Sequence, residues 1–351
     1  MPTDTSIAGH SSGRGAGRNR AALWTGLAVL TAAVAIVSLG LGRYPLGPLE
    51  VLAVLGLPVL PTMPPEPVAE AVVWQVRLPR IALAMVVGAG LSASGAALQG
   101  IFRNPLVGPQ IIGVSAGAAF GGALALLATS SLVVLMSNAF IFGLIALLGV
   151  FFIARTDGRT PVLMLVLAGV VVGAFFDALV SFVTYIADPD DTLPAIVYWL
   201  MGSFASASYT KLWLVAGIVG VFGGLLHLMR FRINILSLGD EEANALGISV
   251  EPTRWAILIA VTAITAATVA VSGIVGWVGL VVPHIARMLV GPDHRDLIPA
   301  SALIGAAFMT TIDSLARTMT IAEIPIGILT AIVGAPVFAI LLRRTKAGGW
   351  S

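Results

Sequence analysis

The segment Arg77-Leu-Pro-Arg80 through Gln99-Gly-Ile-Phe-Arg-Asn104-Pro105-Leu106 encloses a long, almost uncharged run between two arginines and an Arg-Asn-Pro-Leu turn. Arginine is costly in hydrocarbon, so we expect these charges at the two faces of a membrane. The run has the roughly 20 apolar residues with which a helix crosses a hydrocarbon core of about 30 Å. Two arginines at one face could receive an acidic partner, so the side on which Arg77 and Arg80 lie matters for function.

The composition agrees with a membrane-embedded chain. Of its 351 residues, 58% are hydrophobic and only 10% are charged, whereas soluble domains carry about 25% charged residues. No segment shows the alternation of a membrane β-strand. The chain has no cysteine, which excludes disulfides, Cys-ligated zinc and iron–sulfur clusters. The net charge of +2 and the clustering of the arginines give no indication of a nucleic-acid partner.

Hydropathy predicts an all-α polytopic membrane protein with about ten transmembrane helices. The spans lie near 21–41, 78–99, 110–130, 132–154, 161–187, 210–229, 254–272, 275–291, 297–316 and 325–342. The third and fourth spans are separated only by Ser130 and Ser131, and the seventh and eighth meet at Ser272-Gly273. Either pair could form one long helix, so the sequence defines the class of protein better than it defines the number of transmembrane helices.

The arginine-rich start of the chain resembles a signal peptide, but the apolar run that follows is longer than a cleaved hydrophobic region of about 7–15 residues. We therefore interpret that run as the first retained helix. The prediction is a disordered cytoplasmic tail over 1–20, a single transmembrane domain over 21–345, and a C-terminal tail over 346–351.

The positive-inside rule orients the spans. With the N-terminus in the cytoplasm, the inner loops receive fourteen of the 19 basic residues. The outer side receives Arg43, Arg77, Arg80, Lys211 and Arg317. This bias predicts an even number of spans with both termini cytoplasmic, and it puts Arg77 and Arg80 outside.

Three connecting segments are distinctive. Tyr44–Trp74 is a proline-rich outer loop, and 188–208 is an acidic outer segment with a short helix near Ile196–Met201. The inner segment 236–252 has acidic residues directly after Gly239, which favour a helix N-terminus. Gly247 ends that short helix, and Glu251-Pro252 begins the next one. A compact, charged helix on the inner side could be a solvated connector or could dock a separate ATPase.

Other motifs mainly exclude functions. A phosphate-binding loop needs Gly-Lys-Ser/Thr, but neither Lys211 nor Lys346 follows a glycine. The chain therefore does not hydrolyse ATP by that route, and we do not expect it to be an enzyme. Its four histidines are scattered, which argues against a metal site.

Two carboxylates, Asp177 and Asp313, lie within spans and have no basic partner in those spans. Such residues can serve as proton relays or cation sites, or they can bond to a neighbouring helix or lie near a cavity. Pro283 frees a backbone carbonyl one turn earlier and kinks the eighth span. His284 could satisfy a group at that kink or lie near the cytoplasmic end. We favour the structural interpretation for all four residues.

Glycines four residues apart predict close helix packing. They are Gly113, Gly117 and Gly121 in the third span and Gly169 and Gly173 in the fifth. They predict a tight bundle but no function.

Several segments together resemble one family of permeases. They are Arg77-Leu-Pro-Arg80, Ser94-Gly-Ala-Ala-Leu-Gln99, Arg103-Asn-Pro-Leu106, Gly113-Val-Ser-Ala-Gly117, Trp199-Leu-Met-Gly202, Leu238-Gly-Asp-Glu241 with Ala245-Leu-Gly247, Gly276-Trp-Val-Gly-Leu-Val-Val-Pro-His284, Asp293-His-Arg295, Asp313-Ser-Leu-Ala-Arg317, and Glu323-Ile-Pro-Ile-Gly327 with Gly334-Ala-Pro-Val-Phe338. From about residue 20 to 345 the chain is similar to the permeases of iron-siderophore, haem and vitamin B12 ABC importers, the FecCD/BtuC type.

The resemblance implies ten helices per subunit and two permease subunits, identical or different, around a central pathway lined by the fifth and tenth spans. It also implies two cytoplasmic ATP-binding subunits and one extracytoplasmic substrate-binding protein, in the cytoplasmic membrane of a bacterium. No cofactor is expected.

The resemblance also assigns site residues. Arg77, Arg80 and Arg317 would face glutamates of the binding protein. Asn104, Pro105 and Leu106 would form a turn at the cytoplasmic constriction. The coupling helix that sits in a groove of the ATPase would comprise Gly239, Asp240, Glu241, Glu242, Ala245, Leu246 and Gly247.

The leading hypothesis is therefore a permease subunit that translocates an iron chelate, with a ferric siderophore as the favoured substrate. Haem and cobalamin are alternative substrates within the same class. A proton-coupled secondary transporter that uses Asp177 or Asp313 is an alternative from another class, and a non-transporting membrane scaffold or sensor is a third.

Overall fold

Helices dominate the computed structural model, which describes residues 12–56, 66–156 and 158–347. In chain order they are α1 (Ser12–Gly40), α2 (Pro48–Val54), α3 (Pro67–Ala71), α4 (Leu78–Ile101), α5 (Val114–Ala128), α6 (Leu132–Ala154), α7 (Val162–Ile186), α8 (Thr192–Leu200), α9 (Tyr209–Leu228), α10 (Arg230–Leu236), α11 (Asp240–Ala245), α12 (Val250–Ser272), α13 (Val278–Val290), α14 (His294–Thr318) and α15 (Ile326–Ala347). A π-helical turn, Val72–Arg77, runs directly into α4. A 3₁₀ turn, Pro109–Ile112, precedes α5.

Each predicted span overlaps one of these helices, namely α1, α4, α5, α6, α7, α9, α12, α13, α14 and α15. Within the described ranges, seven are long and apolar enough to cross a membrane, and α5, α13 and the apolar part of α15 are shorter. Both doubtful pairs are separate helices. Helix α5 ends before Thr129, whose backbone is extended, and α12 ends before Gly273, which has a φ of 69°. The all-α fold class is confirmed, whereas the side on which the termini lie stays a prediction.

The ends of the chain differ in part from the expected tails. Helix α1 begins at Ser12, inside the segment that we predicted to be disordered up to residue 20. Residues 1–11, the rest of that tail, lie outside the described residues, as do 348–351 at the other end.

Helix α4 occupies the centre of the bundle and is buried along nearly its whole length. It packs against α14, α9, α13 and α12. Its glycines make this possible, because a Cβ on Gly88 would lie 2.1 Å from the carbonyl oxygen of Gly305, and one on Gly95 would lie 1.8 Å from that of Gly279. Helices approach this closely only where neither carries a side chain. The segment quoted first thus forms the axis around which the other spans pack.

The predicted close packing holds for four of the five glycines. A Cβ on Gly113 would lie 3.0 Å from the carbonyl oxygen of Gly169 and 3.0 Å from the amide nitrogen of Gly173. Gly117 and Gly121 meet backbone carbonyls of α6, and Gly169 meets the carbonyl of Ile111. Gly173 has only an ordinary contact at 3.8 Å. Gly113 is not part of the helical stripe, because α5 begins one residue later and Gly113 is its cap, with a left-handed φ of 76°.

The short helices follow the predicted turns. Helix α8 covers the helix expected in the acidic outer segment. Helix α11 begins at Asp240, and Gly247 follows it with a φ of 80°. Helix α12 begins at Val250, beside the predicted start at Glu251-Pro252. In the proline-rich outer loop, α2 and α3 flank residues 57–65, which are not described.

Candidate functional site

Arg77, at the end of the π-helical turn, is buried with 3% of its surface exposed. Its guanidinium donates hydrogen bonds to the carbonyls of Leu39 and Tyr44. These acceptors end α1 and begin the outer loop, and unpaired carbonyls at a helix end are satisfied in this way. Arg77 therefore ties the end of α1 to the beginning of α4.

Arg80, three residues further on, is 6% exposed and binds two carboxylates. Its Nε lies 2.9 and 3.1 Å from the two carboxylate oxygens of Asp313. Its terminal nitrogens each lie 2.9 Å from one oxygen of Glu323. Burial alone would raise the pKa of Glu323, but hydrogen bonds and charge from Arg80 outweigh it and hold that pKa below its usual range. This planar, forked pairing is specific to arginine.

Arg317 completes the group from α14 and is 6% exposed. One terminal nitrogen donates to the carbonyl and hydroxyl oxygens of Ser38, at 2.6 and 2.7 Å. Its Nε lies 3.7 Å from Asp313. The structure thus brings the three predicted docking arginines together, and each has an internal partner in the isolated chain. Their docking role stays a prediction.

Arg43 differs from the other cations predicted to lie outside, because its side chain is exposed. It donates a hydrogen bond to the carbonyl of Ile321. It borders an open depression of about 660 Å³ together with Arg317 and the segment 318–321. We call Arg43, Arg77, Arg80, Arg317, Asp313 and Glu323 the outer cluster. Four guanidinium groups face two carboxylates there, which leaves the cluster positive.

The predicted coupling helix projects from the opposite side of the spans. Ala243 is buried and anchors α11. The predicted coupling residues Glu241, Glu242, Ala245, Leu246 and Gly247 are exposed, and Gly239 and Asp240 lie at the helix start. The side of α11 that carries Leu246 and the two glutamates is thus open to a partner, and its role as an ATPase coupling helix stays a prediction.

Sequence reasoning missed the residue that holds this helix, Arg254, which counted only as one of the inner cations. Arg254 is 1% exposed. It donates to Asp240 at 2.6 Å and to the carbonyl of Thr160 at 2.9 Å, and it lies 3.4 Å from Glu251. Glu251 accepts hydrogen bonds from the amide and hydroxyl of Thr160 at 2.8 and 2.6 Å, and Trp255 also donates to that hydroxyl. This node joins α11, α12 and the turn before α7. The sequence signal that could have identified Arg254 is the position of an arginine near the start of an otherwise apolar helix.

The predicted gate turn is a tight reversal after α4. Arg103 has a φ of 51°, and the side-chain oxygen of Asn104 accepts from the amide of Leu106 at 2.9 Å. Leu106 is exposed and borders an open cleft of about 320 Å³ with Trp277 and Gln110, among other residues. The turn therefore lies beside the start of α13, and its role as a gate stays a prediction.

Trp277 is a second residue that sequence reasoning did not single out. It has a φ of 69°, uncommon for an aromatic residue. Its ring lies 6.2 Å from that of Phe338 in α15, edge to face, and covers Gly334. It therefore connects the segment between α12 and α13 to the last span.

Pro283 lies inside α13 and is buried. The carbonyl one turn before it, on Gly279, faces Gly95 of α4. The Nδ1 atom of His284 is buried without a hydrogen-bond partner among the described residues. That nitrogen therefore does not satisfy the freed backbone group.

The two carboxylates predicted within spans have different surroundings. Asp313 is fully buried and bonds to a neighbouring helix through Arg80, as the structural interpretation expected. The expectation that it lacks a basic partner was wrong, because Arg80 and Arg317 lie at helix ends that reach it. Asp177 lies on the exposed side of α7.

The comparisons with known proteins agree with this architecture. Residues 30–344 match the model of the FecCD transport family. The molybdate import system permease MolB of Haemophilus influenzae is 44% identical over 324 residues, which cover 92% of this chain and 96% of MolB. A probable iron chelatin transport system permease of Helicobacter pylori is 42% identical over 276 residues, covering 78% and 83% of the two chains. A solved inward-facing structure, described as an ABC transporter of metal-chelate type, superposes with a TM-score of 0.83 at 43% identity over 93% of this chain and 99% of that one.

The fold and these matches define a helical membrane permease of the ABC importer class, which resides in the bacterial cytoplasmic membrane. The chain belongs to the FecCD transport family. In this family ATP hydrolysis belongs to a separate subunit. Proton-coupled transport through Asp177 or Asp313 is therefore not supported, and Asp313 is already the partner of Arg80.

Proposed function

We propose that this chain is the permease subunit of an importer that translocates an iron chelate, of which a ferric siderophore is the favoured example. It would work as a homodimer or heterodimer with two cytoplasmic ATP-binding subunits and an extracytoplasmic binding protein. The iron would arrive already coordinated, so the permease would need a wide, weakly binding path instead of metal ligands.

One observation carries the choice of substrate. The resemblance assigns the pathway to α7 and α15, and the exposed side of α7 carries apolar residues such as Val171 and Phe175 together with Asp177. Helix α7 contains no lysine, arginine or histidine, and α15 carries no charge from Ile326 to Leu341. An apolar surface with one carboxylate suits a large neutral or cationic chelate and repels a small oxyanion.

Molybdate is the second candidate, and a different observation favours it. The permease with which this chain shares 44% identity over 92% of its length is named for molybdate import. Molybdate is a dianion, so a pathway for it would be expected to offer cations or amide donors.

Uptake assays distinguish the two candidates. The importer is reconstituted in proteoliposomes with its ATP-binding subunits and binding protein, and radiolabelled ferric siderophore and radiolabelled molybdate are supplied separately. We expect ATP-dependent accumulation of the chelate, unaffected by an uncoupler. Accumulation of molybdate without the chelate would replace the proposal by the second candidate. Asp177→Lys should slow a cationic chelate and should not slow molybdate.

The ATP-binding subunits would act on the permease at its inner face. Exposed Glu241 and Leu246 would contact the ATPase, and Arg254 would carry the displacement of α11 to the turn before α7. This proposal rests on the short distances from one buried guanidinium to both segments. The turn at Asn104–Leu106 would then open or close the inner end of the path.

The binding protein would dock at the outer face. Because Arg77, Arg80 and Arg317 are buried with internal partners while Arg43 is exposed, we propose that Arg43 makes the first direct contact with an acidic side chain. The three buried arginines would add to the positive potential of the outer cluster. This potential is strong at short range because the dielectric constant of the surroundings is low.

A further inference from the structure

Lys211, in the first turn of α9, is a buried cation with no anionic partner among the described residues. Only 2% of its surface is exposed. Its ammonium donates to the hydroxyl of Ser206 at 2.7 Å, and no carboxylate of the described residues lies within ion-pair distance. An ammonium has three donors, and a buried charge without a counter-ion is costly. The other cations buried at this end of the spans bind carboxylates or several carbonyl and hydroxyl oxygens, so Lys211 is the exception.

A pocket of about 250 Å³ lies beside this ammonium. Lys211, Ser203 and Ser206 supply its polar wall, and Leu132, Leu135 and Trp199 supply much of its apolar wall. The hydroxyl of Tyr198 lies 3.3 Å from that of Ser203. One cation and several hydroxyl groups form a donor set for an oxyanion. The volume of the pocket suits a ligand about as large as the headgroup of a phospholipid.

The surroundings of the pocket indicate where such an anion comes from. Tyr198, Trp74 and Trp213 are exposed near the same ends of the helices, and the hydroxyl of Tyr209 donates to the carbonyl of Trp74 at 2.5 Å. Exposed tryptophan and tyrosine mark the level of lipid headgroups. Next to the pocket, Leu132 and Val133 at the start of α6 present an exposed apolar surface along which an acyl chain can lie.

We propose that this pocket binds the phosphate of a phospholipid headgroup, with Lys211 as its cation. The phosphate oxygens would accept from the ammonium and from the hydroxyls of Ser203 and Ser206, while an acyl chain would cover Leu132 and Val133. Bound lipid would join α6, α8, α9 and α12, the four helices that meet there. The proposal is independent of the transported substrate.

The test uses the full-length permease purified with its ATP-binding subunits in a neutral detergent. Native mass spectrometry measures retention of phosphatidylglycerol by the wild type, by Lys211→Met and by Arg43→Met, the last of which removes an exposed outer cation as the matched control. Loss of a charge-assisted hydrogen bond predicts at least about tenfold weaker retention for Lys211→Met. Arg43→Met should change retention by less than about twofold.

A second arm needs no variant. The thermal midpoint of the wild type is measured with phosphatidylglycerol, with dioleoylglycerol, which lacks the phosphate, and with inorganic phosphate. We expect stabilisation only by the phospholipid. Stabilisation by inorganic phosphate alone would overturn the lipid assignment in favour of a free anion, and equal stabilisation by dioleoylglycerol would overturn the role of the phosphate. Unchanged retention of phosphatidylglycerol by Lys211→Met would overturn the lipid site, and so would a variant that loses affinity for the binding protein while its lipid retention stays the same.

Discussion

Arg80 and Asp313 form an ion pair that is buried on both sides, with the guanidinium Nε at 2.9 and 3.1 Å from the two carboxylate oxygens. The pair joins the start of α4 to α14, two helices that also touch through Gly88 and Gly305. A cation expected to face a soluble partner is thus a cross-link between two central helices. Its neighbour Glu323 extends the link towards the outer surface.

Removing this cation should destabilise the permease. Arg80→Met leaves the buried Asp313 carboxylate with Arg317 alone, at 3.7 Å, and removal of one partner from a buried ion pair costs about 3–5 kcal/mol. We expect a clear fall in the thermal unfolding midpoint of the detergent-solubilised protein. Arg43→Met removes an exposed cation nearby and should leave the midpoint almost unchanged. Equal midpoints for the two variants would show that the ion pair does not stabilise the fold.

Docking of the binding protein should depend on Arg43. Arg43→Glu reverses the only charge of the outer cluster whose side chain is exposed, and we expect at least about tenfold slower association with the binding protein, since rim charges act mainly on association rates. Surface plasmon resonance on the assembled importer at low and physiological salt measures this rate. The wild-type rate should fall with salt and that of Arg43→Glu should not.

A salt-independent association rate in the wild type would contradict the docking proposal. Arg77→Glu and Arg317→Glu are informative only for protein that retains its unfolding midpoint, because both side chains are buried.

Coupling to ATP hydrolysis should depend on Arg254. Arg254→Gln withdraws the charge that binds Asp240 and the Thr160 carbonyl. We expect at least about tenfold less substrate per ATP hydrolysed, from the loss of a buried charge-assisted hydrogen bond. The ratio of uptake to hydrolysis in proteoliposomes measures it. Arg295→Gln is the matched control, because Arg295 is exposed and pairs with Asp293 only two residues away. Equal loss of uptake and hydrolysis in Arg254→Gln would indicate failed assembly and contradict a coupling role.

The sequence predicted the spans well because each is an apolar run that hydropathy detects without knowledge of its neighbours. It predicted the position of Arg80 at the end of a span but not its burial, since Asp313 lies 233 residues away. Gly113 matched a helical spacing although its left-handed φ makes it a cap. Arg254 escaped notice because its partners come from two other segments. The local sequence pattern predicts helices and turns, whereas the ionic partner of a side chain depends on which helices pack together.

Stability should respond to pH through Asp293, which caps α14 and lies outside the span. A hydrogen bond from the Arg295 side chain, aided by the Arg295 amide and Asn234, outweighs partial burial and holds the pKa of Asp293 well below its usual value. A lowered folded-state pKa stabilises the protein above the unfolded-state pKa, near 3.9, and this contribution is lost as the pH falls through the lower folded value.

Asp293→Asn keeps a capping oxygen but removes the charge. We expect the variant to unfold at a lower temperature than the wild type at neutral pH, with a difference that is constant down to about pH 5 and shrinks below about pH 4. Thermal midpoints across that range measure it. A difference that grows on acidification would contradict the assignment.

The close approach of α4 and α13 should tolerate no side chain at Gly95. A Cβ there would lie 1.8 Å from the carbonyl oxygen of Gly279, and backbone cannot yield as a flexible side chain does. Gly95→Ala should therefore separate the two helices, lower the unfolding midpoint strongly and reduce uptake. Gly224→Ala in α9 is the control, since its Cβ would meet nothing within 4 Å and alanine favours a helix over glycine by up to about 1 kcal/mol. Unfolding of Gly95→Ala at the wild-type temperature would contradict the close approach of α4 and α13. The central position of α4 would then need another explanation.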